Sequence, residues 1–133
     1  MGGAEYSLND IEHPQIRQRW DAPLVHACVV CGSVSCPDLR NEAFEASTLA
    51  SQMKDSFALW MQNPAKGLLL QPDGAVKLSR IFLWFQKDFG PQRWDSLAFI
   101  IANTPPGDKS PPGPETASAV DYFEYDWGIN ARP

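Results

Sequence analysis

A histidine and three cysteines crowd into one stretch, His26-Ala27-Cys28-Val29-Val30-Cys31 and then Gly32-Ser33-Val34-Ser35-Cys36-Pro37. These residue types serve nucleophilic, redox and metal chemistry. A thiol becomes a good nucleophile when a cation, a histidine or a helix N-terminus lowers its pKa. Cys36 is the candidate nucleophile, because it sits in a turn ahead of Pro37 and a polar stretch. His26 is its candidate base and Asp126 the candidate orienter of that base, reached from a strand near the end of the chain. Cys31, His13 and Asn130 are candidate binding residues. Asn130 could share the orienting role, while His13 also suits a helix end, where the dipole favours a cation.

The same stretch offers four zinc ligands as His26-x-Cys28-x2-Cys31-x4-Cys36. Val29-Val30 argues against it, since a β-branched pair favours strand and strand alternation points the Cys28 and Cys31 sulfurs apart. It argues equally against a thioredoxin-like Cys-x-x-Cys, whose first cysteine belongs at a helix N-terminus. No metal and no cofactor are expected. Three clustered cysteines are not a disulfide framework, and a Cys31–Cys36 bridge would close only a short loop, so reduced thiols are expected. Against all the chemical readings stands a buried strand with small thiols as core filler and a hydrogen-bonded histidine.

The elements that would position these residues follow from local signals. Ser7-Leu8-Asn9-Asp10 reads as a capped helix start whose regularity Pro14 limits. Leu24 to Cys31 is a β-branched apolar run ended by Gly32 and reads as a strand. Ser47 to Gln62 is the clearest helix, with Leu49, Met53, Phe57 and Trp60 on one face and Asn63-Pro64 as its stop. Leu68 to Leu78 has the form of a hairpin turned at Asp73-Gly74. Ser79 caps an aromatic helix closed by Gly90, and Pro91 opens another, with Trp94, Leu97, Ala98 and Ile101 as its apolar stripe. Residues 104–114 carry too many prolines and glycines for a regular element and read as an exposed loop. Val120 to Trp127 alternates like a strand, which puts Asp121, Glu124 and Asp126 on a solvated edge and not in a calcium loop.

The chain has 133 residues, enough for one domain and one core, with five Trp and seven Phe to fill it. Its net charge is −5, with the basic residues scattered, so nucleic acid is not an expected partner. No apolar run is long enough to span a bilayer, so no membrane partner is expected either. With no secretory leader visible, the expected compartment is cytoplasmic.

Four runs taken together, Tyr6–His13 (YSLNDIEH), Val25–Leu39 (VHACVVCGSVSCPDL), Leu78–Gly90 (LSRIFLWFQKDFG) and Tyr122–Asn130 (YFEYDWGIN), resemble the family known as domain of unknown function 547. The resemblance implies a fold and little biochemistry. It also implies a helix ahead of Tyr6 that carries a Trp-x-Asn-x-Tyr-Asn pattern, which is absent here, so 1–133 is expected to be a single but partial family domain. The face that such a helix would cover is expected to meet a partner domain or a second copy, in a homodimer burying upwards of about 1,000 Å².

The expected fold is α+β, a small mixed or antiparallel sheet packed against about four helices. The sheet would comprise the His26 strand, the 68–78 hairpin and the closing strand. The expected function is a binding or interaction module. The alternative is a thiol-dependent enzyme, a cysteine hydrolase, transferase or thiol oxidoreductase using a His26–Cys36 pair, and the third reading is the His/Cys zinc site.

Overall fold

Ser7 opens the first helix with a reciprocal cap. Its hydroxyl accepts from the Asp10 backbone N–H at 3.1 Å, and the Asp10 carboxylate accepts from the Ser7 N–H at 2.9 Å. The computed structural model describes residues 3–106 and 111–131. Helix α1 (Leu8–Asp10) widens at once into a π-helical turn, Ile11–Arg17, bonded from Gln18 N–H to the His13 carbonyl at 3.0 Å. Pro14 lies inside that turn, where it has no N–H to keep the tighter α ladder.

The expected strand through His26 does not form. Pro23–Ala27 is a 3₁₀ turn, held by Val25 N–H to the Ala22 carbonyl at 3.0 Å and Cys28 N–H to the Val25 carbonyl at 2.8 Å. Pro23 at the first position presets the helical φ, and the turn buries Val25, His26 and Ala27 without a neighbouring strand. A short apolar run is buried as well by one conformation as by the other, so its composition does not separate them.

Helix α2 (Leu49–Gln62) drives Phe57, Trp60 and Met61 into the core, while Leu49 at the start of the expected stripe stays exposed. Strands β1 (Leu68–Leu70) and β2 (Val76–Leu78) form the expected antiparallel hairpin. Gly74 takes φ +82°, which suits glycine, and the Asp73 carboxylate accepts from the Ala75 N–H at 3.0 Å. Ser79 caps α3 (Arg80–Trp84) by accepting from Ile81 N–H at 3.4 Å, and after a break at Phe85 the chain continues as α4 (Gln86–Phe89).

Pro91 does not open the last helix. Residues 91–94 form a turn in which the Asp95 carboxylate accepts from Gln92 N–H at 2.7 Å, and α5 runs Asp95–Asn103. Its buried face is Ser96, Leu97 and Ile100, so Ala98 and Ile101 point outward. Phe99 turns the helix this way by packing edge-on against Phe57 and Phe89, with ring centroids 5.5 and 5.3 Å away.

Strand β3 (Val120–Tyr122) is shorter than expected and runs parallel to β2, so the sheet is mixed, in the order β1-β2-β3. Together with the helices it makes an α+β fold whose core is centred on Phe57, Val76, Leu78, Phe82, Leu97 and Ile100. Beyond β3 the chain leaves the sheet and lies against the loop after Cys31, through an antiparallel bridge between Ser33 and Ile129. Of the proline-rich stretch at 104–114, residues 107–110 lie outside the described residues, and Pro111 is buried.

Candidate functional site

Two clusters of reactive side chains flank the 23–36 segment. The first is built on His26, only 3% exposed at the end of the 3₁₀ turn. Its Nε2 is 2.7 Å from Asp88 Oδ2, on α4. Arg17 grips the same carboxylate with two donors, Nε to Oδ2 at 2.7 Å and Nη2 to Oδ1 at 3.0 Å, and its Nη1 lies 2.7 Å from His13 Nδ1. Phe85 forms one wall. His26 stacks on it at 4.6 Å, and the guanidinium of Arg17 lies 4.2 Å from its ring centre. Burial lowers the pKa of His26 more than Asp88 restores it, so the ring is held neutral and Nε2–H donates to the carboxylate. For Asp88, partial burial alone would raise the pKa, but hydrogen bonds from Arg17 and His26 outweigh it and hold the carboxyl below its ordinary range.

The second cluster surrounds Cys31 and lies where the end of the chain returns to the 31–36 turn. Val34 N–H donates to the Gly128 carbonyl at 2.8 Å and Asn130 N–H to the Gly32 carbonyl at 2.8 Å, which fixes the loop against residues 126–130. Cys31 Sγ, on an exposed residue, lies 3.2 Å from Ser33 Oγ and 3.6 Å from Tyr125 Oη, and those two oxygens are 2.9 Å apart. Cys36 is buried, and its sulfur accepts from the Cys31 backbone N–H at 3.1 Å.

Partial burial alone would raise the pKa of Cys31. The Ser33 hydroxyl and N–H, the Cys36 thiol and the Tyr125 hydroxyl outweigh it by favouring the anion, and bring it down to about 7. Burial instead pushes Cys36 up to about 11, and the neighbouring Cys31 charge adds to that. Burial also pushes Cys28 to about 11, with its thiol turned to the Leu24 carbonyl at 3.5 Å. Tyr125 is raised too, by burial, and so stays a proton donor at neutral pH.

The expected residues therefore divide. Cys31 and Cys36 come together, His13 and His26 come together through Arg17 and Asp88, and among the described residues no hydrogen bond joins His26 to a cysteine. Asp126 does not orient His26. Its carboxylate accepts from Gly128 N–H at 2.8 Å and its N–H donates to Ser35 Oγ at 2.9 Å. Asp88 holds the ring instead. Asn130 contributes its backbone to the loop clamp. Among the described residues no three His, Cys, Asp or Glu side chains converge as a metal site.

An aromatic surface adjoins the thiols. The Tyr125 ring packs on Trp84 and Trp127, at 4.7 and 4.5 Å between centroids, and both tryptophans reach solvent, at 43% and 69% exposed. Ser33, Tyr125, Asp88 and Arg17 do not stand out in the sequence as site residues, since their partners lie up to 94 residues away, while Phe85 reads there as part of an aromatic core stripe.

No helix among the described residues is long and apolar enough to cross a membrane. No curated protein and no solved structure matches the chain. A family model described as a protein of unknown function, DUF547, matches residues 1–60, a span that holds the 31–36 turn and His26 but neither Asp88 nor Tyr125. Over those residues the chain is similar to that family, which is consistent with a DUF547-like domain.

Proposed function

We propose that the domain works through a reactive thiolate at Cys31, as a thiol-dependent enzyme. The observation that carries this reading is the exposed residue Cys31, its sulfur within reach of Ser33 Oγ and Tyr125 Oη, a hydroxyl pair that favours the anion. A thiol whose pKa lies near the ambient pH is the best attacking group, because it combines a large anionic fraction with retained nucleophilicity. Cys31 thus takes the nucleophile's place first given to Cys36, and His26, neutral and bonded to Asp88, serves the fold.

The surroundings also favour one kind of electrophile. Acyl transfer needs an acid–base group for the leaving atom and donors for the oxyanion. Among the described residues no histidine or carboxylate is hydrogen-bonded to Cys31. Attack on sulfur needs neither, since the leaving thiolate carries its own charge. Trp84 and Trp127 offer an apolar face for the group that bears the electrophile. The test is peptide mapping after brief iodoacetamide treatment at pH 7. Label should concentrate on Cys31, and Cys31→Ser should abolish the fast phase. Equal, slow labelling of all three cysteines would remove the reading.

A second reading, an interaction module, rests on a different feature. An apolar cavity of about 490 Å³ opens between the π-helical turn and α2, walled by Ile16, Trp20, Phe44, Leu49 and Met53. Trp20 is 67% exposed at its rim. That face is where we place the contact of a homodimer, for which sedimentation at micromolar concentration should give twice the mass of the chain and a monomer mass would count against it. The compartment we propose is the cytoplasm, whose reducing poise keeps three free thiols reduced.

A further inference from the structure

We infer that Cys31 and Cys36 are a dithiol–disulfide couple, Cys31 the attacking and Cys36 the resolving thiol, with an accessible organic disulfide as substrate. This rests on the reading of Cys31 as the reactive thiolate and adds to it a reaction and a second participant. The geometry separates the two roles. Cys31 faces solvent, as an attacking thiol must, while Cys36 is buried directly behind it, with its sulfur on the Cys31 backbone N–H at 3.1 Å. The Cys36 sulfur already touches the backbone of Cys31, so a bond between the two sulfurs needs rotation of side chains and no rearrangement of the fold. The intervening turn is pinned at both ends, by Cys36 N–H on the Ser33 carbonyl at 3.1 Å and by Asn130 N–H on the Gly32 carbonyl at 2.8 Å. Cys28 is excluded as the partner, because its thiol is directed to the Leu24 carbonyl.

The exchange runs in two steps. The Cys31 thiolate attacks one sulfur of the substrate; a bond forms between these sulfurs, the substrate's own S–S bond breaks, and one thiolate leaves with the electron pair. Cys36 then loses its proton to solvent and attacks Cys31 Sγ, forming the Cys31–Cys36 bond and expelling the second substrate thiolate. The two leaving thiolates take up two protons, so one disulfide is reduced to two thiols while two protein thiols are oxidised. Charge couples the steps. The Cys31 anion opposes ionisation of Cys36, and its conversion to a mixed disulfide removes that opposition just when Cys36 must act. A dithiol reductant returns the couple to its starting state by the reverse exchange.

The experiment uses the full chain, reduced and then exposed to glutathione disulfide, with the products read by intact mass and peptide mapping. Wild type should lose two hydrogens and yield a Cys31–Cys36 cross-linked peptide. Cys36→Ser should instead hold a glutathione adduct on Cys31, living at least about tenfold longer than in wild type. A persistent Cys31 adduct in wild type would overturn the couple and leave the reactive thiolate standing, whereas failure of Cys31 to react at all would remove both. The wild-type cross-link is decisive by itself if Cys36→Ser does not fold, because any bridge to Cys28 would contradict the assignment.

Discussion

Ser33 and Tyr125 make Cys31 different from its two neighbours in sequence. Neither hydroxyl is charged: Ser33 donates its one proton to Tyr125 Oη, which leaves the Tyr125 proton for the sulfur, in a bond that strengthens when the thiol ionises. Ser33→Ala and Tyr125→Phe should each move the midpoint of Cys31 alkylation upward from about 7 toward the ordinary cysteine value, and together further than either alone. A midpoint unmoved in both variants would mean that the donors do not set it. The His26 cluster makes a stability statement instead. Folding lowers the pKa of both His26 and Asp88, so the unfolded chain binds protons first as the pH falls. The stability they contribute is therefore complete above about pH 6.5, declines below it as the unfolded histidine protonates, and declines again below about pH 4 through Asp88. Asp88→Asn should remove the second decline, cost about 1–3 kcal/mol by chemical denaturation, and leave Cys31 alkylation unchanged. The residue types of both clusters were plain in the sequence, but their partners were not. His26 meets Asp88 across 62 positions and Cys31 meets Tyr125 across 94, distances over which spacing carries no information.

The legible elements are those written in local chemistry. The Ser7 capping box, the Asp73-Gly74 turn and the apolar face of α2 each fix their own conformation within a few residues. The Leu24–Cys31 run has the composition of a strand but does not form one, because Pro23 just before it outweighs the β-branched residues, and because among the described residues no strand lies beside it to complete a ladder. That difference matters chemically. In a strand Cys28 and His26 would have shared a face, whereas the turn sends His26 to Asp88 and leaves Cys31 free to meet the returning chain. Asp88 in turn depends on the corner between α4 and α5. Gly90 there has φ +142°, and a Cβ on it would sit 2.3 Å from Asp95 Cβ. Gly90→Ala should cost about 2 kcal/mol or more in thermal or chemical unfolding, since both the backbone conformation and the space are closed to alanine. An unchanged melting temperature would show that the corner relaxes freely.

Across the whole molecule, the α+β class was legible from the mixture of helix and hairpin signals, while the parallel pairing of β3 with β2 was not, because it joins segments 44 residues apart. That pairing aims the end of the chain at the 31–36 turn, so the thiol site is assembled from both halves of the sequence and exists only when the chain is folded. Three cysteines that are alike in the unfolded chain thus become one exposed, acidified thiol and two weakly ionised ones, Cys36 buried and Cys28 half-buried. The most direct measurement is the rate of iodoacetamide labelling at each cysteine as a function of pH, on the native chain and again in concentrated urea. In the native chain Cys31 should reach half its maximal rate near pH 7 and outpace Cys28 and Cys36 throughout the neutral range, and in urea all three should converge on a common midpoint near 8.5. A native Cys31 that titrates together with the other two, or one that keeps its low midpoint in urea, would contradict a site made by the fold.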